Sequence, residues 1–291
     1  MNLSTFQAFI SVMETGSISE AAEKLFLTQP AISKRLKNLE EELNVRLFEP
    51  AGRGIQPTPA AHELLPRVKR WLLEYADIKH ALSHAQNSIA GVLSIGTSHH
   101  IGLHHLPEIL KSYVQRYPEV QLDVYFVDSE QAHQAVLSGE LELAFLTLPP
   151  NADNRLHYQP LWADPLAFVV APFHPLAHKS SLSLQDLMAY PSLLPAAHTY
   201  TSQITLQAFA EYGLKPHANM STNPLESIRM LVSIGLGWSV LPTSLLNDDL
   251  CRLDLPIALS RKLGMVSHPA RTQSRAALAL VEECLKLTRQ D

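Results

Sequence analysis

The 291-residue sequence holds two cysteines, no long apolar run and no surplus of positive charge. Each shortage excludes something. Cys251 and Cys284 are too few for a disulfide framework, and reduced thiols in a cytoplasm are expected. No stretch reaches the ~18 consecutive apolar residues of a membrane-spanning helix, so no membrane partner is expected. The start, MNLSTFQAFISVMETGS, lacks the basic segment and small-residue cleavage site of a secretory signal. Net charge is −5, so any contact with nucleic acid must come from a local patch. The patterns GxSxG, HExxH and CxxC and a Walker loop are all missing. That removes the usual grounds for an enzyme, and no cofactor is expected.

What is present is a globular composition, 46% hydrophobic and 18% charged, long enough for about two domains. Leu3, Phe6, Phe9, Ile10 and Met13 recur at helical spacing, which predicts a helix over residues 3–14 ended by Gly16. Ser17 and Glu20 form an S-x-x-E box that opens a second helix. Thr28 is placed to cap a third, with Pro30 in its first turn. Its buried face is Ile32, Leu36, Leu39 and Leu43. Thr28, Gln29, Pro30, Ser33, Lys34 and Lys37 fall outside, near the N-terminal end. This is a helix-turn-helix whose second helix offers amide, hydroxyl and ammonium groups to a major groove. Gln29 can bond adenine bidentately, and lysines reach guanine edges or phosphates. Glu40, Glu41 and Glu42 follow the basic residues and should lie away from DNA. The next segment reads as two short strands around Gly52-Arg53-Gly54, a wing whose Arg53 can enter a minor groove.

The run FxxVxxxGSxxxAAxxLxxTQPAISxxLxxLEExLxxxLF, from Phe9 to Phe48, resembles the LysR-type transcriptional regulators of bacteria. Two positions depart from that family's pattern. Pro50 stands where an arginine is usual, and Pro57-Thr58-Pro59-Ala60-Ala61 replaces Leu-Thr-x-Ala-Gly.

Thr58 and Pro59 start a long helix. Ala61, Leu64, Val68, Trp71, Tyr75, Ile78 and Leu82 repeat at spacings of 3 and 4, the seam of a coiled coil. The resemblance likewise implies a linker helix that dimerises, giving a homodimer or homotetramer that reads an interrupted palindrome of double-stranded promoter DNA.

Beyond Ser88 and Gly91, strand and helix patterns alternate, which predicts a parallel, doubly wound α/β arrangement. Two lobes are expected, joined by crossings near 162–166 and 266–269. The segments are thus 1–58 (winged helix-turn-helix), 59–87 (linker helix) and 88–291 (regulatory domain). Within the last, lobe I takes about 91–163 plus 268–291, and lobe II about 164–267. The resemblance implies the same: an effector domain like periplasmic binding proteins, with VxxGLGxxxLP at Val232 to Pro242 a frequent family feature. Ligands bind such folds at strand ends beside helix N-termini. That nominates Thr97, Ser98, His99, His100 and Thr147 on one lobe. On the other it nominates His198, Thr199, Tyr200, Thr201 and Asn223. Hydroxyls and free amides there favour a small anionic effector, although the same Ser and Thr positions suit plain helix capping. A transport-type binding protein and a cysteine oxidation switch are the rival readings. Cys251 and Cys284 fall in different lobes, which disfavours a regulatory pair.

His99, His100, His104 and His105 lie within seven residues. With one helix predicted over 103–117 and burying Leu103, Leu106, Leu110, Tyr113 and Tyr117, the histidines should diverge, and no metal site is expected.

Overall fold

The computed structural model describes residues 3–51, 54–83, 89–216, 218–220 and 222–288. The chain forms two compact units, residues 1–83 and 84–291.

In the first unit, α1 (Leu3–Thr15), α2 (Ile18–Lys24) and α3 (Gln29–Leu43) precede a hairpin of β1 (Phe48–Ala51) and β2 (Gly54–Pro57). The apolar stripes meet in one core of Phe6, Phe9, Val12, Ala21, Ala22, Ile32, Leu36 and Leu39. Ser17 caps α2 by accepting the Glu20 amide. Glu40 has a use that its place in an acidic run conceals. Its Oε1 accepts the amides of Leu47 (2.7 Å) and Phe48 (3.1 Å), fixing the entry to the hairpin.

Helix α4 (Pro59–Ser83) follows, with Thr58 Oγ1 accepting the Ala61 amide at its start. The predicted seam divides here. Ala61 and Val68 are buried in the unit's own core, and Leu64 packs against it. Those positions are therefore spent on the helix-turn-helix, not on a partner. Trp71, Tyr75 and Ile78 stay exposed. The Leu82 side chain and the 87/88 boundary lie outside the described residues.

The second unit begins with β3 (Gly91–Thr97), α5 (His99–His104), α6 (Pro107–Arg116), β4 (Val120–Phe126), α7 (Ser129–Ser138), β5 (Leu143–Thr147) and β6 (His157–Val170). Then come α8 (Leu184–Leu187), β7 (Ser192–Leu193), α9 (Tyr200–Ala210), β8 (Ala218–Met220), α10 (Leu225–Ser233) and β9 (Ser239–Pro242). Strands β10 (Cys251–Leu253) and β11 (Leu259–Ser267) and helix α11 (Arg275–Leu287) complete it. One sheet runs β10-β6-β11-β5-β3-β4, with β9 also on β6. Its β3, β4 and β5 are parallel, whereas β6 and β11 are antiparallel to their neighbours. The sheet is therefore mixed, not wholly parallel.

The long strands β6 and β11 make the two lobes. Residues 263–267 of β11 pair with β5, while the start of β11 pairs with β6 opposite Leu166. The cores divide accordingly. One gathers Leu93, Ile95, Phe145, Leu263, Met265 and Leu280; the other gathers Leu166, Phe168, Val170, Phe209, Trp238 and Leu259. The return crossing thus lies at about 259–263 and not at 266–269, because β11 joins the first lobe's β5 at Leu263. Helix α11 returns to the first lobe, where Tyr113 Oη donates to Ala276 O (2.7 Å) and Glu283 accepts from Ser112 (2.6 Å). In the GLG motif, Gly237 has a steric reason. A Cβ there would collide with the Pro191 carbonyl oxygen, which accepts the Trp238 amide.

The helix predicted over 103–117 is two helices. Pro107 has no N–H to continue an α-helical ladder from α5, and it starts α6 instead. The phase changes across the break. Leu103 is exposed, Leu106, Ile109 and Tyr113 are buried, and of the four histidines His100 alone turns inward.

Candidate functional site

The N-terminal end of α3 presents Thr28, Gln29, Pro30, Ser33, Lys34 and Lys37, all exposed. Thr28 occupies the cap position, but its side chain makes no capping hydrogen bond. Gln29 is pre-positioned by its Nε2, which donates to Ser19 Oγ on α2. Among the described residues no protein donor meets its amide oxygen. Arg35 is committed elsewhere, donating to Ser4 O (3.2 Å) and tying α3 to α1. Lys37 pairs loosely with Glu41 (3.6 Å), both solvated, a contact a phosphate can displace at little cost. The β1–β2 hairpin forms as predicted, but Arg53 lies outside the described residues.

In the second unit, the starts of α5, α7, α9 and α10 converge on one cavity between the lobes. Its lining includes Ser98, His99, His100, Thr147, Thr199, Thr201 and Asn223. It is small, about 50 Å³, well below the ~300 Å³ of a pocket for a drug-sized ligand. Three nominated residues fall outside the lining. Thr97 is fully buried behind it, with its hydroxyl donating to Ser98 O. His198 is exposed. Tyr200 packs beside His133, and its backbone N–H donates across the lobes to Glu130 Oε1.

The side chain that dominates the cavity is Arg261, which sequence reading did not single out. It is buried, with Nε donating to Asp164 Oδ2 (2.7 Å) and Nη1 donating to Thr201 Oγ1 (2.8 Å). Its Nη2 is buried with no hydrogen-bond partner among the described residues. Burial pulls the guanidinium below its usual pKa, and Asp164 opposes that. A guanidinium remains charged in proteins all the same, so it offers an unfilled donor to an anion. The cavity carboxylates are already engaged. Asp128 Oδ2 accepts from Asn223 Nδ2 across the lobes (2.6 Å), and Glu130 holds the Tyr200 amide. Burial raises the Glu130 pKa.

The histidines do meet, contrary to the expectation. The rings of His100 and His104 lie 5.0 Å apart, those of His100 and His105 5.5 Å, and His105 packs on Trp162 at 4.9 Å. Burial, then the Arg261 charge, pulls His100 down to about 3, so its imidazole is neutral. His104 Nε2 reaches Glu226 Oε1 on α10 at 3.3 Å. His99 stays apart, against Phe126. Both cysteines are free thiols. Cys284 is fully buried in the first lobe with its thiol pushed up to about 12, and Cys251 lies on β10 in the second.

A helix-turn-helix with a free polar face, joined in one chain to a two-lobed unit enclosing a small polar cavity, defines a ligand-responsive DNA-binding regulator. Residues 3–62 match the model of bacterial regulatory helix-turn-helix proteins of the lysR family, and residues 86–289 match the LysR substrate binding domain. The chain belongs to the LysR family of transcriptional regulators and is not an enzyme. It is 30% identical over 243 residues to the transcriptional regulator CysB of Haemophilus influenzae, covering 82% of this chain and 75% of that protein. To CysL of Bacillus subtilis it is 27% identical over 275 residues, 92% of each. The crystal structure of HinK, a LysR family regulator from Pseudomonas aeruginosa, aligns at a TM-score of 0.59 with 26% identity, covering 99% of this chain and 98% of that one. No helix among the described residues is long and apolar enough to cross a membrane.

Proposed function

We propose that this chain controls transcription as a homo-oligomer on promoter DNA, in response to a small anionic effector held between the lobes. Segments 1–58, 59–87 and 88–291 would divide the work among DNA contact, dimerisation and sensing. The observation that carries the effector reading is the unfilled Nη2 of Arg261, buried in a cavity flanked by helix starts. A short-chain carboxylate or an inorganic oxyanion matches both the donor set and the volume. Ser98 and Thr147 supply further hydroxyls, whereas Thr199 caps α9 and Thr201 accepts from Arg261.

The effector acts by binding the closed arrangement of the lobes better than the open one. Closure alters how subunits pair, and with it the spacing of the recognition helices on DNA. Gln29 and Ser33 read bases; Lys34, Lys37 and Arg53 hold phosphates. Trp71, Tyr75 and Ile78 provide the exposed dimer stripe.

A panel of small acids, oxyanions, amines and neutral apolar compounds, screened by thermal shift and then by promoter-fragment mobility shift, tests the reading. Anions alone should raise the melting temperature and change the shifted pattern. Stabilisation only by cations or neutral ligands would overturn the anionic effector. Failure to prefer any promoter fragment, including that upstream of its own gene, would overturn the regulator reading.

A further inference from the structure

We propose that His100, His104 and Glu226 form a binding site for one divalent transition cation of the zinc class, set across the two lobes. One ligand atom from each residue lies within 4.8 Å of the others. Tetrahedral ligands at about 2.0–2.1 Å from zinc stand about 3.4 Å apart, so modest side-chain adjustment completes the geometry. His104 Nε2 and Glu226 Oε1 are already 3.3 Å apart. His100 and His104 share one face of α5 at i,i+4 spacing. Glu226 comes from the first turn of α10 in the other lobe.

The second observation is the state of His100. Its side chain is 3% exposed, and neither ring nitrogen has a hydrogen-bond partner among the described residues. A buried imidazole left unsatisfied on both sides is costly and calls for an occupant. Glu226 repels an anion at this point, whereas two imidazoles beside a carboxylate suit a cation of borderline softness. The Arg261 charge is the main objection, and Asp164 answers it. Its Oδ2 sits 2.7 Å from Arg261 Nε and 3.7 Å from His100 Nε2. The carboxylate thus offsets the guanidinium and stands beside the ring, as second-shell carboxylates do at metal-bound histidines.

Two histidines and one carboxylate leave a fourth position open for water or an effector oxygen. Because its ligands come from both lobes, the cation would favour their closed arrangement. That consequence rests on the effector reading; binding of the cation itself does not. Any gain in effector affinity from zinc must be matched by an equal gain in zinc affinity from effector.

The test uses the untagged full-length chain, freed of metal with a chelator. Calorimetric titration with Zn2+ alone should give one equivalent per chain, and Co2+ should give the visible absorption of a tetrahedral site. His104→Ala and Glu226→Gln alter half-exposed residues, so both variants should fold. Each should weaken zinc binding by about 100-fold or more and abolish the zinc-induced rise in melting temperature. His178→Ala, an exposed histidine outside the cluster, should bind zinc as the parent does. Unchanged zinc affinity in His104→Ala and Glu226→Gln, or no stoichiometric binding by the parent, would overturn the site. Promoter binding by the same metal-free proteins separates that failure from failure of the regulator reading.

Discussion

Removing the Arg261 guanidinium would leave Asp164 as a buried carboxylate without its ion-pair partner. Breaking one side of such a pair costs about 3–5 kcal/mol. Arg261→Ala should lose that much by urea denaturation, and the double variant Arg261→Leu, Asp164→Leu should recover most of it. A loss under about 1 kcal/mol in the single variant would mean the pair is solvated. On α3, side chains close in sequence should have separable effects. Gln29→Ala should cost about 1–3 kcal/mol on the preferred sequence and flatten discrimination at one base pair. Lys34→Ala should weaken all sequences alike and lower the slope of log affinity against log salt by about 1. Mobility shift against base-substituted fragments at several salt concentrations checks both. The α3 face was readable beforehand because a helix's period fixes its outer residues once the buried stripe is known. Arg261 was not, because it sits mid-strand, and only the β6–β11 register brings it to Asp164, 97 residues away.

At the level of elements, α4 shows how one apolar repeat can serve two ends. Val68 is buried in the first unit's core, and Trp71 packs on Phe6 at 5.2 Å but stays partly exposed, with Tyr75 stacked on it at 5.8 Å. Tyr75→Glu or Ile78→Glu should therefore shift sedimentation toward monomer with the melting temperature little changed. Val68→Glu should instead unfold the helix-turn-helix. Dimers that persist in Ile78→Glu and Tyr75→Glu together would place the interface elsewhere. A sequence repeat cannot separate these fates, since core and interface ask for the same residues. The 3₁₀ turn Pro175–His178 gives a pH dependence. His174 Nδ1 accepts the Leu176 amide, the ring is buried against Tyr190, and burial lowers its pKa. The unfolded chain therefore takes up this proton near pH 6.5 while the fold refuses it. Stability from this residue is complete above that pH and falls as pH drops toward the lower folded value, by up to about 1.4 kcal/mol per pH unit. Denaturation at pH 7.5 and 5.5 should show a shallower acid loss in His174→Asn, whose amide oxygen can still accept the bond. An equal slope in both would refute the assignment. The same proline logic explains the misread α5–α6 break. Pro107 restarts the helix, so residues before it cannot share the phase of those after it.

For the molecule as a whole, strand-to-helix junctions were legible, and so was the place of the cavity. Which groups latch the lobes was not, because every latch joins residues far apart in sequence. Asn223 Nδ2 reaches Asp128 Oδ2, the Tyr200 amide reaches Glu130, and His104 reaches Glu226. Besides the Tyr200 ring, which packs on the first lobe's Ala132 and Val136 cluster, the lobes meet through these polar groups. A hydrogen bond to a charged group contributes about 1.5–3 kcal/mol. Losing the Asn223 latch shifts the lobes toward open by roughly 10- to 100-fold, and effector affinity falls with the closed fraction. Asn223→Ala should therefore bind the effector about 10- to 100-fold more weakly if the closed form is a minor state without that latch. Asn223 also lines the cavity, so weaker binding alone would not separate latching from direct contact. Hydrogen exchange without effector does separate them. Exchange at the Tyr200 amide at the start of α9, which Glu130 accepts across the lobes, should quicken in the variant if the latch holds the apo lobes together. Exchange unchanged at α9, with affinity still lost, would make Asn223 an effector contact and leave closure to the remaining bridges.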